Sequence, residues 1–503
     1  MNIKRAKEEI KNTIEAYLLK DEDGEYVIPT IRQRPVLLLG APGIGKTQIM
    51  EQIARECKIG LVSYTITHHT RQSAIGLPFI SKKEFGGKEY AITEYTMSEI
   101  VASVYEKIEK THLPEGILFI DEVNCVSETL APAMLQFLQC KTFGNHAIPQ
   151  GWIIVAAGNP PEYNRSVREF DVVTMDRVKK IMVEPDYQVW KEYAYRENIH
   201  PAVISYLDTR PQYFYKMETT VDGRSFATPR GWEDLSRMIS VYEKLGKKAD
   251  REVVVQYLQH EIIAKDFANY LELYEKYQMD YELEQVFSGV IGDKLVKKAA
   301  AASFDEKLSV VGLLISRCQE QFCQTFFQEQ VTMRLFEALK ECKNGFLGAH
   351  QSQPLVYFEE ILQEITLEWQ QKKEAEILSR NEDKVYRRVI DRMDAYKKQI
   401  LDQADDGEAA FDLLKSAFAE DKEKLEEMQD RSGQMLEYAF DFMEAVFRNG
   451  QEMVIFITEL NRNYYTVHFL QEYDCERYYM YNKNLLFEEN SRKIQKRLSS
   501  LEV

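Results

Sequence analysis

The sequence predicts an α/β fold on a parallel sheet, with helices on both faces, followed by helical regions that fill the rest of the chain. Three observations predict it. Short apolar runs at Val36–Leu39, Ile117–Ile120 and Trp152–Ala157 each suit one strand buried on both faces. Helical patterns alternate with them. From about residue 301 onward only helical periodicity remains, with Phe358, Ile361, Ile365 and Trp369 sharing one face and Leu436, Phe440, Met443 and Phe447 another. At 503 residues the chain is too long for one core. The expected division is an α/β domain over 1–185, a helical domain over 186–300 and a helical C-terminal domain over 301–503.

Residues 2–20 read as an amphipathic helix with Ile10, Ile14 and Leu18 on one face, ended by the polar turn Asp21–Glu25. The run Val36-Leu37-Leu38-Leu39 then leads into Gly40-Ala41-Pro42-Gly43-Ile44-Gly45-Lys46-Thr47, and Gln48–Ala54 reads as a helix. Strand, glycine loop and helix in that order make G-x-x-x-x-G-K-[ST] a phosphate cradle, the P-loop of nucleoside triphosphatases. Roughly 0.02 such matches arise by chance in a chain of this length, so the motif is the firmest reading in the sequence. Glycines let backbone N–H groups turn inward, and the helix N-terminus adds its positive dipole end. The ATP-binding set is Gly40, Ala41, Pro42, Gly43, Ile44, Gly45, Lys46, Thr47 and Gln48. Lys46 reaches the β and γ phosphates, and Thr47 offers its hydroxyl to Mg²⁺.

Ile59–Ile66 reads as a second strand. His68-His69 invites a metal reading, but no further ligands lie at a known spacing, and polar loop residues are the simpler account. Two strand-like pieces around Gly86-Gly87, spanning 79–93, form a hairpin. A helix over Met97–Lys110 follows. Next, Ile117–Ile120 ends in Asp121-Glu122, about 75 residues after the phosphate loop. The chemistry calls for one carboxylate to hold the water shell of Mg²⁺ and another to polarise the attacking water. Asp121 takes the first role and Glu122 the second. Ser127 caps a helix from Glu128 to Gln139, Lys141–Pro149 is a second hairpin turning at Gly144-Asn145, and Trp152–Ala157 is a third buried strand. It ends at Asn159, whose amide would meet the attacking water or γ-phosphate; a turn-forming Asn before Pro160 is the ordinary alternative.

Together with Met175-Asp176-Arg177 and Thr228-Pro229-Arg230, this series resembles the AAA+ ATPases and, within them, the MoxR family. That family carries D-E-[IV]-N after its acidic strand, here Asp121-Glu122-Val123-Asn124. The hairpin at 79–93 resembles its helix-2 insert, and Lys141–Pro149 its pre-sensor hairpin. The likeness covers roughly residues 30–260. It implies that Asn159 is the first sensor and Arg230 the second, at the start of a lid helix. It implies that Arg177 is a finger reaching a neighbour's γ-phosphate, with Arg165 and Arg168 near enough to compete. Val178 stands where the family has Phe. Residues 186–300, with helices at Asp186–Asn198, Pro201–Asp208, Pro229–Leu245 and Arg251–Phe267, correspond to the lid, and Lys297–Ser303 joins it to the next region. A homo-oligomeric ring, a hexamer, is implied, together with a protein client and a von Willebrand factor A domain partner.

A net charge of −17 argues against a general grip on nucleic-acid phosphate. A nucleic-acid motor stays as an alternative, because relatives with a helix-2 insert include helicases. A nucleotide-switched scaffold with little hydrolysis is another; the complete set Lys46, Thr47, Asp121, Glu122, Asn159 and Arg177 speaks against it. Seven scattered cysteines without a Cys-x-x-Cys pair fit a reducing cytoplasm. No apolar h-region opens the chain, and no run approaches the ~18 residues of a membrane span. In the C-terminal region, Asp405-Asp406-Gly407 and Arg431-Ser432-Gly433 read as helix breaks, Glu420–Arg431 as a solvated face, and the tyrosines at 464, 465, 473, 478, 479 and 481 as bundle core in preference to a binding patch.

Overall fold

The computed structural model describes residues 1–483 except 69, 164–166, 168–169, 221–222, 282, 349–352 and 405. His69, Arg165, Arg168 and Asp405 of the sequence reading therefore lie outside the described residues. The chain forms two compact units. One holds Met1–Val189, Thr228–Arg230 and Leu367–Asp383; the other holds Trp190–Ala227, Gly231–Thr366 and the chain from Lys384 onward.

The first unit opens on a helix, Ile3–Leu18, whose free N–H groups are met by the Asn2 side chain accepting from the Arg5 amide. Its strands are β1 (Val36–Gly40), β2 (Gly60–Thr65), β3 (Pro78–Phe85), β4 (Lys88–Tyr95), β5 (Gly116–Asp121), β6 (Thr142–Phe143), β7 (His146–Ala147), β8 (Trp152–Gly158) and β9 (Lys179–Val183). Five of them make one parallel sheet in the order β2-β5-β8-β1-β9. Successive side chains of a strand face opposite ways. All four of Ile117, Leu118, Phe119 and Ile120 are fully buried, so both faces of the sheet are covered. Leu118, Ile120, Ile154 and Ala156 share a cluster with Val101, Val104, Met134 and Phe137 from the flanking helices. The β3–β4 and β6–β7 hairpins stand apart from the sheet as antiparallel pairs. The first leaves Phe79, Ile80, Phe85 and Tyr90 exposed.

Two local readings change here. The edge strand β9 went unread, because Lys179-Lys180 opens it with charge. The helix expected from Glu128 begins at Ala131, with proline in its first turn and Leu130, not Ser127, at its N-cap; the Ser127 hydroxyl lies 3.2 Å from that of Thr129. The Ser127 carbonyl instead accepts from Leu130 and Ala131 in a turn ahead of the helix.

Among its described residues the second unit is helical apart from one hairpin, β10 (Lys216–Thr220) and β11 (Gly223–Ala227), inside the stretch read as mainly helical. The helix expected over Arg251–Phe267 is two, Arg251–Tyr257 and Glu261–Asp280, with His260 capping the second. The expected connector Lys297–Ser303 is helical through Ala301, and Ser303 caps a 43-residue helix, Phe304–Phe346.

A 41-residue helix, Gly407–Phe447, runs straight through Arg431-Ser432-Gly433. The small residues there serve packing. The Ser432 hydroxyl lies 2.8 Å from that of Thr325, and a Cβ on Gly433 would come within 2.3 Å of the Tyr473 ring. The charged stretch 420–431 is not all solvated: Asp421 is buried and accepts from Arg392 Nε at 3.0 Å and Tyr396 Oη at 2.5 Å. Leu436, Phe440, Met443 and Phe447 are buried, as their spacing predicts. Of the tyrosines, Tyr465 and Tyr478 are buried and Tyr464 and Tyr479 exposed; Tyr473 stacks on Phe469 and Tyr481 on Phe440. Among the described residues no helix is long and apolar enough to cross a membrane.

Candidate nucleotide site

The strand order decides where the motifs meet. β1 lies beside β8, and β8 beside β5, all parallel. Their C-terminal ends therefore share one edge of the sheet. Gly40–Thr47, Asp121-Glu122 and Asn159 come from those three ends, although Lys46 and Asn159 lie 113 residues apart in sequence.

The loop after β1 turns on Gly43 (φ +76°) and Gly45 (φ +94°), conformations that a Cβ would strain. The helix Lys46–Cys57 then begins with no side chain capping its first turn, so its N–H groups face the loop. Lys46 is only 8% exposed. Its Nζ donates to the carbonyls of Gly40 at 2.8 Å and Ala41 at 2.9 Å, and to Asn159 Oδ1 at 2.9 Å. Burial pushes its ammonium down to about 8; Asp121 and Glu122 pull the other way, and the Arg230 cation adds to the fall.

Thr47 Oγ1 donates to Asp121 Oδ2 at 3.0 Å, which puts a hydroxyl and a carboxylate oxygen side by side. These are hard oxygen donors of the kind that hold Mg²⁺ through its waters. The other Asp121 oxygen accepts from the Glu122 amide at 2.9 Å. Glu122 itself takes a left-handed backbone, φ +57°. Such strain in a non-glycine residue gathers at functional sites. Its Oε2 accepts from Thr67 Oγ1 at 3.0 Å. Thr67 sits just past the end of β2, the neighbour of β5. The sequence reading missed it, because nothing in a lone threonine after a strand shows which strand will lie beside it.

Residues 36–175 match the profile of the ATPase family associated with various cellular activities (AAA). The chain carries an AAA ATPase domain. Among solved structures, a point mutant of Thermotoga maritima RuvB overlaps 52% of this chain and 69% of its own, at 15% identity and a TM-score of 0.28, too loose a likeness to carry a functional argument. No curated protein matches the sequence.

Two arginines expected at the AAA site differ in placement. The Arg230 amide donates to the Gly43 carbonyl at 3.2 Å, so the start of the Pro229–Lys244 helix rests on the phosphate loop. Arg177 follows the short helix Val172–Met175, is exposed, and donates to Gln139 Oε1 at the end of the Ala131–Cys140 helix. Among the described residues it makes no hydrogen bond to the phosphate loop. Gln48 is exposed on the first turn of the helix behind the loop.

Proposed function

We propose that this chain is a cytoplasmic MoxR-like AAA+ ATPase that hydrolyses ATP at the subunit interfaces of a homo-oligomeric ring, a hexamer, and uses the energy to remodel or assemble a protein client. The observation that carries the reading is the convergence of three strand ends, in which Lys46 bonds Asn159 and Thr47 bonds Asp121. Such a set binds a triphosphate and activates water beside its last phosphoryl group.

The backbone of Gly40–Thr47 and Lys46 hold the phosphates of ATP. Thr47 and Asp121 would hold Mg²⁺, which would neutralise charge developing on the phosphoryl oxygens. Glu122 orients the attacking water and takes its proton. Asn159 donates to the γ-phosphate through its free amide hydrogens. Arg230 anchors the first turn of the following helix to the loop. Arg177, exposed and bonded to Gln139, serves a neighbour's nucleotide. Residues 186–300 act as the lid and 301–503 as the region that meets partners or clients. The apolar side chains of the β3–β4 hairpin support a client-contacting role. A von Willebrand factor A domain protein is the proposed partner, and affinity purification from native cells that recovers none would remove it.

The test is ATP turnover against protein concentration, for wild type and Glu122→Gln, with mass measured in parallel. Turnover per subunit rises with assembly and collapses in the variant while ATP still binds. Tight ATP binding and assembly with no turnover in either protein would refute hydrolysis and favour a nucleotide-switched scaffold.

A further inference from the structure

Asn124 lies two residues past Glu122, and the reading above gives it no task. It is 4% exposed. Its Nδ2 donates to the backbone carbonyl of Asn159 at 2.8 Å. Its Oδ1 is buried and has no hydrogen-bond partner among the described residues. A buried acceptor left unpaired costs about 1–3 kcal/mol, which offsets what the bond to the Asn159 carbonyl gains. Stability alone therefore does not favour an amide here.

The surroundings are nevertheless shaped to hold it. The left-handed backbone at Glu122 bends the chain away from β5 toward β8, and the Val123 amide reaches the Ala157 carbonyl at 2.9 Å. Residue 158 has to be glycine, since a Cβ there would lie 2.5 Å from Asn124 Oδ1 and 2.8 Å from its Cγ. The next residue, Asn159, accepts from Lys46 at 2.9 Å. Asn124 thus holds the backbone carbonyl of the residue whose side chain Lys46 holds.

We propose that Asn124 is a positioning residue: it fixes the Asn159 peptide so that the Asn159 side chain stays aligned with Lys46 at the γ-phosphate. The inference rests on the nucleotide reading above. The contact it governs is made to a third phosphate, so its loss weakens triphosphate recognition more than diphosphate recognition. It also lowers kcat more than it raises KM, because a small misplacement of an aligned group is felt most in the transition state.

The test uses the full chain and three variants: Asn124→Ala, Asn124→Asp and Gly158→Ala. Binding of MgATPγS and MgADP is measured by titration calorimetry beside thermal unfolding and turnover. Asn124→Ala and Asn124→Asp are expected to lose about three- to tenfold of the wild-type preference for MgATPγS, the worth of one hydrogen bond, with MgADP binding unchanged. Gly158→Ala keeps Asn124 but displaces it, and shows the same loss; combining it with Asn124→Ala adds little.

Folded Asn124 variants with wild-type preference and wild-type kcat overturn the inference alone. So does loss of folding in all three variants, which would make Asn124 a stability residue. A wild-type chain that binds neither nucleotide overturns the nucleotide reading and this inference with it.

Discussion

Lys46 gives the sharpest pH prediction, because its burial and its task pull its charge in opposite directions. In the free site its ammonium is pushed down from 10.5 to about 8, chiefly by burial. Nucleotide phosphates restore the preference for the charged form, so binding takes up a proton wherever the free lysine has lost one. Affinity therefore falls as pH rises through 8. Between pH 7.5 and 9.0 the charged fraction of a group titrating at 8 drops about eightfold, and the dissociation constant for ATP rises by the same factor, a little over 1 kcal/mol. Phosphate itself is fully ionised throughout this window.

Stability of the nucleotide-free chain moves the other way. The unfolded state binds more protons than the folded state between about 8 and 10.5, so stability rises with pH across that interval. Below pH 8 the buried ammonium costs roughly 3 kcal/mol. The assay is calorimetric titration of Glu122→Gln with MgATP in two buffers of different ionisation heat, with Lys46→Met as control. Uptake of about half a proton is expected at pH 8, and the control shows neither uptake nor the affinity slope. A flat dissociation constant from pH 7.5 to 9.0, with no proton uptake in the Lys46 protein, would refute the reasoning.

Three further outcomes follow from named contacts. Arg177→Ala is expected to lower turnover by about 10³-fold or more while ATP binding stays intact; single-turnover kinetics and nucleotide titration separate the two, and an unchanged rate would take the finger role away from Arg177. Lys191, almost fully buried, bonds Asp208 at 2.7 Å and Glu459 at 2.6 Å. Lys191→Met leaves two carboxylates facing each other and is expected to cost about 3–5 kcal/mol in urea unfolding, whereas a loss below 1 kcal/mol would show that the pair relaxes into water. Gly433→Ala drives a methyl into the Tyr473 ring and is expected to cost about 1–3 kcal/mol; Tyr473→Ala in the same chain relieves the clash, so additive losses in the double variant would contradict the packing argument.

Much of the candidate site was legible in the sequence, because its residues come in short contiguous segments. Gly40–Thr47 needs its own order of residues to form a loop, and Asp121-Glu122 and Asn159 sit at the ends of runs whose apolar character marks buried strands. Elements whose residues mix two signals were read less well. β9 hides behind two lysines. Ser432 and Gly433 look like a break but lie inside a helix, because a partner ring fills the space that a larger side chain would take. Asp421 looks solvated in a charged run, and is buried because Arg392 and Tyr396 come to it from another helix.

Local periodicity and backbone preference are enough to call for strands, a phosphate loop and long helices. Tertiary structure alone decided the order β2-β5-β8-β1-β9, and with it which side chains meet: Lys46 with Asn159, Thr67 with Glu122, Asn124 with the Asn159 peptide. No local pattern specifies those pairs. They depend on which strand lies beside which, and that is set by how remote apolar faces share one core.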